Sequence, residues 1–170
     1  MANTAVELPP SPPAPRQPVA EDHRQSVQAH GWLLLVGGAA VVAGVFLPWI
    51  TAQIPYTGPV TANGVDFQAW VPLGGGCVLV LAALQVLTST PEGTRNTWPI
   101  ALVAGVATAV LSAPLVQSVT DQLGALDNQD VLRADYGIGL WLGAAGISLS
   151  ILATVGGWGA THRATRPTRH

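Results

Sequence analysis

The chain has 170 residues, a net charge of −2, and 9 % charged against 49 % hydrophobic residues. A near-neutral chain has no electrostatic footprint for nucleic acid, which excludes a nucleic-acid binder. Charge so far below the roughly 25 % of soluble domains, with a mean hydropathy of +0.40, excludes an ordinary water-soluble globule. All basic residues are Arg or His, and the lone cysteine, Cys77, lies in an apolar run and allows no intrachain disulfide.

In chain order, residues 1–30 come first. Six prolines among the first twenty positions, in "ELPPSPPAPRQP", forbid a regular helix or a sheet ladder. This stretch is expected to be a disordered cytoplasmic tail, partly polyproline II; it contains PxxP spacing that could dock a partner groove, although tails of this composition more often serve as plain linkers. Four windows without a charge follow: Gly31–Ile50, Trp70–Leu87, Trp98–Val116 and Tyr136–Trp158, of 20, 18, 19 and 23 residues. At about 1.5 Å per residue they span roughly 27 to 35 Å, close to the hydrocarbon thickness of a bilayer. Four such helices have no amphipathic partner to cover them in water. The expectation is an all-α integral membrane four-helix bundle over residues 31–158, followed by a basic cytoplasmic tail at 159–170. Ile50 stands where a signal-peptide cut after Ala52 wants a small residue, so the first window reads as a retained span.

Charge between the windows predicts orientation. Arg16, Arg24, Arg95, Arg163, Arg166 and Arg169 flank one side. Only Arg133 lies on the other, in the segments Thr51–Ala69 and Gln117–Asp135. The positive-inside bias predicts both termini cytoplasmic and both longer loops outside a plasma membrane. Trp32, Trp49, Trp70, Trp98 and Trp158 stand at or within two residues of a window end, as interface anchors do. Trp141 is deeper and is expected to face lipid. Pro114 removes the N–H that would bond the Val110 carbonyl and predicts a bend in the third span, with Ser112 partly satisfying the freed groups. Beyond it, Val116, Val119, Leu123 and Leu126 recur at helical spacing, predicting a short amphipathic helix along the outer interface, with Asp121 and Asn128 in water.

Within the windows, small residues recur at helical spacing. Gly139, Gly143, Gly146 and Ser150 form one stripe, with Gly139 and Gly143 a GxxxG pair; Gly137 falls off it. The first window has Gly37, Ala40 and Gly44, and the third Ala101, Gly105, Thr108 and Ser112. Helices gain little hydrophobic energy by associating in lipid, so such stripes serve close backbone approach. The packing set is thus Gly139, Gly143, Gly146, Gly105 and Gly44. The alternative use of the same glycines is to line a path or a lipid groove.

No Asp, Glu, His, Lys or Arg lies within the central windows, so no proton or ion relay is expected there. No HExxH, His–Cys spacing, GxSxG or phosphate loop occurs, and Asp121, Asp127 and Asp130 do not have EF-hand spacing. The sequence therefore predicts no enzyme, no cofactor and no metal.

"FLPWITA" closing the first span and "YGIGLWLGAAG" opening the fourth, on an Arg-only, Ala/Gly/Val-rich background, resemble the small four-span membrane proteins of uncharacterised function found in high-GC Gram-positive (actinobacterial) bacteria. The resemblance covers Gly31 to Gly157 and brings no active site. The expected role is an accessory or scaffold protein acting through membrane lipids, another membrane protein or a second copy of itself. The alternative is a transport-related subunit or a small carrier of a neutral or apolar substrate.

Overall fold

The structure, a computed structural model, describes residues 19–54, 56, 58–89, 94, 96–127 and 133–164. The proline-rich stretch before Val19, Asn128, Asp130 and the arginines after Ala164 lie outside the described residues. Four helices dominate: α1 (Val19–Phe46), α2 (Trp70–Thr88), α3 (Thr97–Asp127) and α4 (Ile138–Ala164). Each contains a stretch long and apolar enough to cross a membrane. Their outward faces are apolar as well. Val36, Leu81, Val103, Val110 and Leu152 are all exposed, and Leu152 is 70 % exposed. A bundle with this surface matches a lipid solvent rather than water. The fold is that of a multi-pass membrane protein.

Three differences from the sequence reading have physical causes. First, the fold is not all-α. The segment after α1 forms β1 (Pro48–Ile54) and β2 (Gly58–Asn63), and the segment before α4 forms β3 (Arg133–Tyr136). The order is β2-β1-β3, antiparallel throughout, with Thr51 opposite both Thr61 and Asp135. Ile50 and Ala52 are buried. The hairpin turns on positive-φ backbone at Tyr56 (73°) and Gly58 (91°).

Second, α1 begins at Val19, inside the stretch expected to be a disordered tail. Third, no separate interfacial helix follows Pro114. Helix α3 runs through that proline to Asp127, and its 31 residues reach about 46 Å at about 1.5 Å each. The Val119 and Leu123 period marks the face that packs onto the sheet, not onto a membrane surface. Both are buried with Val45, Trp49, Ile50 and Ala69. Asp121 on the opposite side is exposed.

The core has two apolar centres. The one beside the sheet is that just described. The other, toward the far end of the bundle, joins Leu34, Leu79, Ala82, Ala83, Val86, Trp98, Ala101 and Ala153. Helix α1 packs most extensively on α4, then on α2; α3 leans on α2 and touches α4 least of the neighbouring pairs.

The sheet end is tied down by three contacts of Trp49. The buried Trp49 indole N–H donates to the Gly44 carbonyl at 2.8 Å, satisfying one of the orphan acceptors at the end of α1. Its ring stacks on Phe67, centroids 6.0 Å apart. The Gly137 N–H donates to the Trp49 carbonyl at 2.7 Å. A Cβ on Gly137 would strike the Pro48 carbonyl. Gly137, read from sequence as a residue off the packing stripe, is therefore a point of closest approach. Gly137→Ala is expected to cost about 1 to 3 kcal/mol, the usual range for overpacking, read as a lowered unfolding midpoint in mild detergent.

Candidate functional site: a lateral groove between two helices

The α1–α4 interface is built on glycine. A Cβ on Gly44 would lie 2.8 Å from the Gly139 carbonyl oxygen and 2.9 Å from the Gly143 nitrogen. A Cβ on Gly139 would lie 2.6 Å from the carbonyl oxygens of Gly44 and Leu47; one on Gly146 would lie 2.7 Å from the Gly37 carbonyl oxygen. One on Gly37 would strike the Ser150 hydroxyl. These backbones touch, and no side chain fits between them.

The other two stripe glycines behave differently. Gly105 has ordinary room, its nearest neighbour being Ile151 Cγ1 at 3.4 Å. A Cβ on Gly143 would meet nothing within 4 Å, because it would project into a groove. The stripe thus splits by direction. Gly139 and Gly146 close onto α1, while Gly143 turns toward the gap between α4 and α3.

That groove has a volume of about 510 Å³, within the roughly 300–1,000 Å³ of small-molecule sites. Its α3 wall is Ala109, Ser112, Ala113, Val116 and Thr120; its α4 wall is Leu140, Trp141, Gly143, Ala144, Ile147 and Ser148. Val41, Gly44 and Val45 of α1 form the floor. Ala113, Val116, Trp141 and Ala144 are exposed, so the groove opens sideways from the bundle. It exists because the two glycine-rich helices close tightly on each other and leave α3 standing off α4.

At the sheet end of the groove the Tyr136 hydroxyl donates to Thr120 Oγ1 at 3.3 Å. The Tyr136 ring meets Trp141 edge-on, centroids 6.4 Å apart. Trp141 is 65 % exposed on the outward side of α4. Deeper in, hydroxyls on apolar helices satisfy themselves locally. Thr108, Ser148, Ser150 and Thr154 each donate to the carbonyl four residues back, at 2.6 to 2.9 Å. Ser112 does not. Its Oγ is buried and has no hydrogen-bond partner among the described residues.

The five tryptophans taken as anchors divide in two. Trp32, Trp70 and Trp158 are exposed at 58 %, 63 % and 38 %. Trp49 and Trp98 are enclosed, Trp49 by the sheet-end cluster and Trp98 by the far cluster. Their position at window ends is common to both groups, and only the packing separates them. Among the described residues, no three His, Cys, Asp or Glu side chains converge on a point that would hold a metal ion.

These features define a membrane-spanning helical bundle with a sheet at one end and an apolar, side-opening groove. No protein-family model matches the chain, and no curated protein matches it.

Proposed function

We propose that the chain is a non-enzymatic multi-pass protein of the plasma membrane, an accessory protein that works by holding membrane lipid and by contact with other membrane proteins. The observation that supports this reading is the groove. It is lined without a charged side chain, opens sideways where a bilayer supplies acyl chains, and holds a glycine whose missing side chain keeps it clear. The full chain, extracted in mild detergent and measured by native mass spectrometry, is expected to carry bound lipid that survives removal of the detergent. A lipid-free mass for every molecule would overturn the reading. Substrate-dependent flux in vesicles containing only this chain would replace it with a carrier.

The orientation belongs to the same proposal. Six arginines at one end and one at the other support cytoplasmic termini, with the sheet outside. In a Cys77→Ala background, Thr61→Cys on the exposed face of β2 is expected to react in intact cells with an impermeant thiol reagent. Thr90→Cys and Thr168→Cys are expected to react only after the cells are opened. Labelling of the position-90 cysteine from outside would invert or break the four-span arrangement.

A further inference from the structure

We infer that the groove takes one acyl chain of a lipid from the leaflet on the sheet side, with the headgroup level with Tyr136 and the chain end in the middle of the bundle. In the orientation proposed above this is the outer leaflet. The assignment deepens the lipid-holding reading and rests on it. The sheet end of the groove is its wet end. Thr120 and Tyr136 are exposed there and joined through their hydroxyls at 3.3 Å. Trp141 lies about one turn inside α4, but helical side chains lean toward the N-terminus, and its ring reaches back to that of Tyr136, centroids 6.4 Å apart. Exposed Trp and Tyr rings mark the headgroup boundary.

The other end stops at mid-membrane. The lining residues farthest from the sheet are Val41, Ala109 and Ser148, each within two residues of the middle of its charge-free window. About one turn further the gap between α3 and α4 is gone. A Cβ on Gly105 would touch Ile151 Cγ1 at 3.4 Å, and one on Gly157 would strike the Trp98 ring. Trp98, Ala101 and Ala153 are buried together there. From Thr120 to Ala109, helix α3 advances eleven residues, about 17 Å. Half of a hydrocarbon core of about 30 Å is about 15 Å. The groove is therefore one leaflet deep, wet at its mouth and shut at its floor.

Charge fits the same occupant. The lining carries no charged side chain, which matches an uncharged chain, and a headgroup carried to the floor would be buried without a partner. Other occupants match less well. A lipid of the opposite leaflet would have to thread its chain between Gly105 and Ile151, where the two helices already meet. A transmembrane helix of a second copy crosses both leaflets and would seat only half its length.

The test uses the full chain in phosphatidylcholine vesicles containing a trace of one of two photoactivatable phosphatidylcholines. One carries a diazirine near the ester end of a chain, the other near the terminal methyl. Crosslinks are mapped to residues by fragment mass. The ester-end probe is expected to label Thr120, Tyr136 and Trp141 over Ala109 and Ile147, and the methyl-end probe to reverse that ratio. Gly143→Leu is expected to abolish methyl-end labelling of Ala109 and Ile147, because its side chain enters the groove. Labelling of the exposed Val103 and Leu152, beyond the groove floor, is expected to stay unchanged and reports an intact fold. Ala113→Leu, on the exposed rim, supplies a second plug should Gly143→Leu unfold.

Plug-sensitive labelling of Ala109 and Ile147 by the ester-end probe, equal to or above that by the methyl-end probe, would overturn the leaflet and direction of the chain and leave lipid holding in the groove standing. No labelling of the groove walls by either probe, or labelling of Ala109 and Ile147 that survives both plugs, would overturn both readings. Disulfide trapping between copies through Ala113→Cys in that case would put a second copy's helix in the groove.

Discussion

Gly146→Leu is expected to unfold the bundle more than any single replacement on its lipid-facing surface. A Cβ at this position already falls 2.7 Å from the Gly37 carbonyl oxygen, 2.9 Å from the Val41 nitrogen and 3.0 Å from the Ala40 Cβ. The first two are backbone atoms of a facing helix and cannot rotate away. Relief requires α1 and α4 to separate along the most extensive helix interface in the molecule. Separation forfeits the dispersion contacts that hold helices together in lipid, where no hydrophobic gain replaces them. The expected loss is about 3 kcal/mol, the upper end for overpacking, with Gly146→Ala costing less in the same direction. Gly44→Leu should match it, since its Cβ meets Gly139 and Gly143 backbone from the other side. Leu152→Ala, on a side chain that is 70 % exposed, should be near neutral because lipid fills the gap. Unfolding midpoints of the four variants beside wild type in one detergent decide the matter. A Gly146→Leu protein as stable as wild type would show that the helices do not meet here.

The second large effect is expected at Trp98. The ring is fully buried in the far cluster, and a Cβ on Gly157 would strike its six-membered ring. Trp98→Ala should cost about 3 to 5 kcal/mol, the range for removing a large aromatic from a core. Its indole N–H, however, is buried with no partner among the described residues. Trp98→Phe loses some volume but also removes that unsatisfied donor, whose burial costs about 1 to 3 kcal/mol. The two terms oppose each other, so Trp98→Phe should remain close to wild type. If Trp98→Phe were as damaging as Trp98→Ala, the indole N–H would be bonded in the membrane, and the tryptophan would hold the bundle through that bond rather than through its bulk.

The spans were legible because hydropathy and charge are local properties of the chain. The window Trp70–Leu87 differs from α2 by one residue at its end. The sheet was less legible. "ITAQIPYTGPVTAN" does carry a β signal, with β-branched and small residues flanking a Pro-x-x-Gly turn, and this signal could have predicted the β1–β2 hairpin. Nothing local points to the four residues of β3, which pair with a strand two spans earlier. Helical spacing put Gly139, Gly143 and Gly146 on one stripe. It could not tell which member meets α1 and which overlooks the gap to α3, because that depends on where the third helix stands. Gly137 stands off the stripe, just before the fourth helix, and its close contact could not be read from helical spacing. Its neighbour is the backbone of β1, far away in sequence. Ser112 was expected to satisfy part of the backbone freed by Pro114, but its hydroxyl has no hydrogen-bond partner among the described residues, a property of the assembled helices that spacing does not show.

The strand order has a consequence for how the molecule is made. Strand β1 lies between β2 and β3, so a chain inserted from its N-terminus can close the β1–β2 hairpin early but must leave the other edge of β1 open while two more spans enter. The tightest helix contact, α1 with α4, waits for the same event. Insertion of the last span therefore works as a latch. Before it, the first two spans carry a bare strand edge and a glycine face with no mate, both features that quality-control proteases and stray strands recognise. After it, the sheet and the helix pair close together in one step.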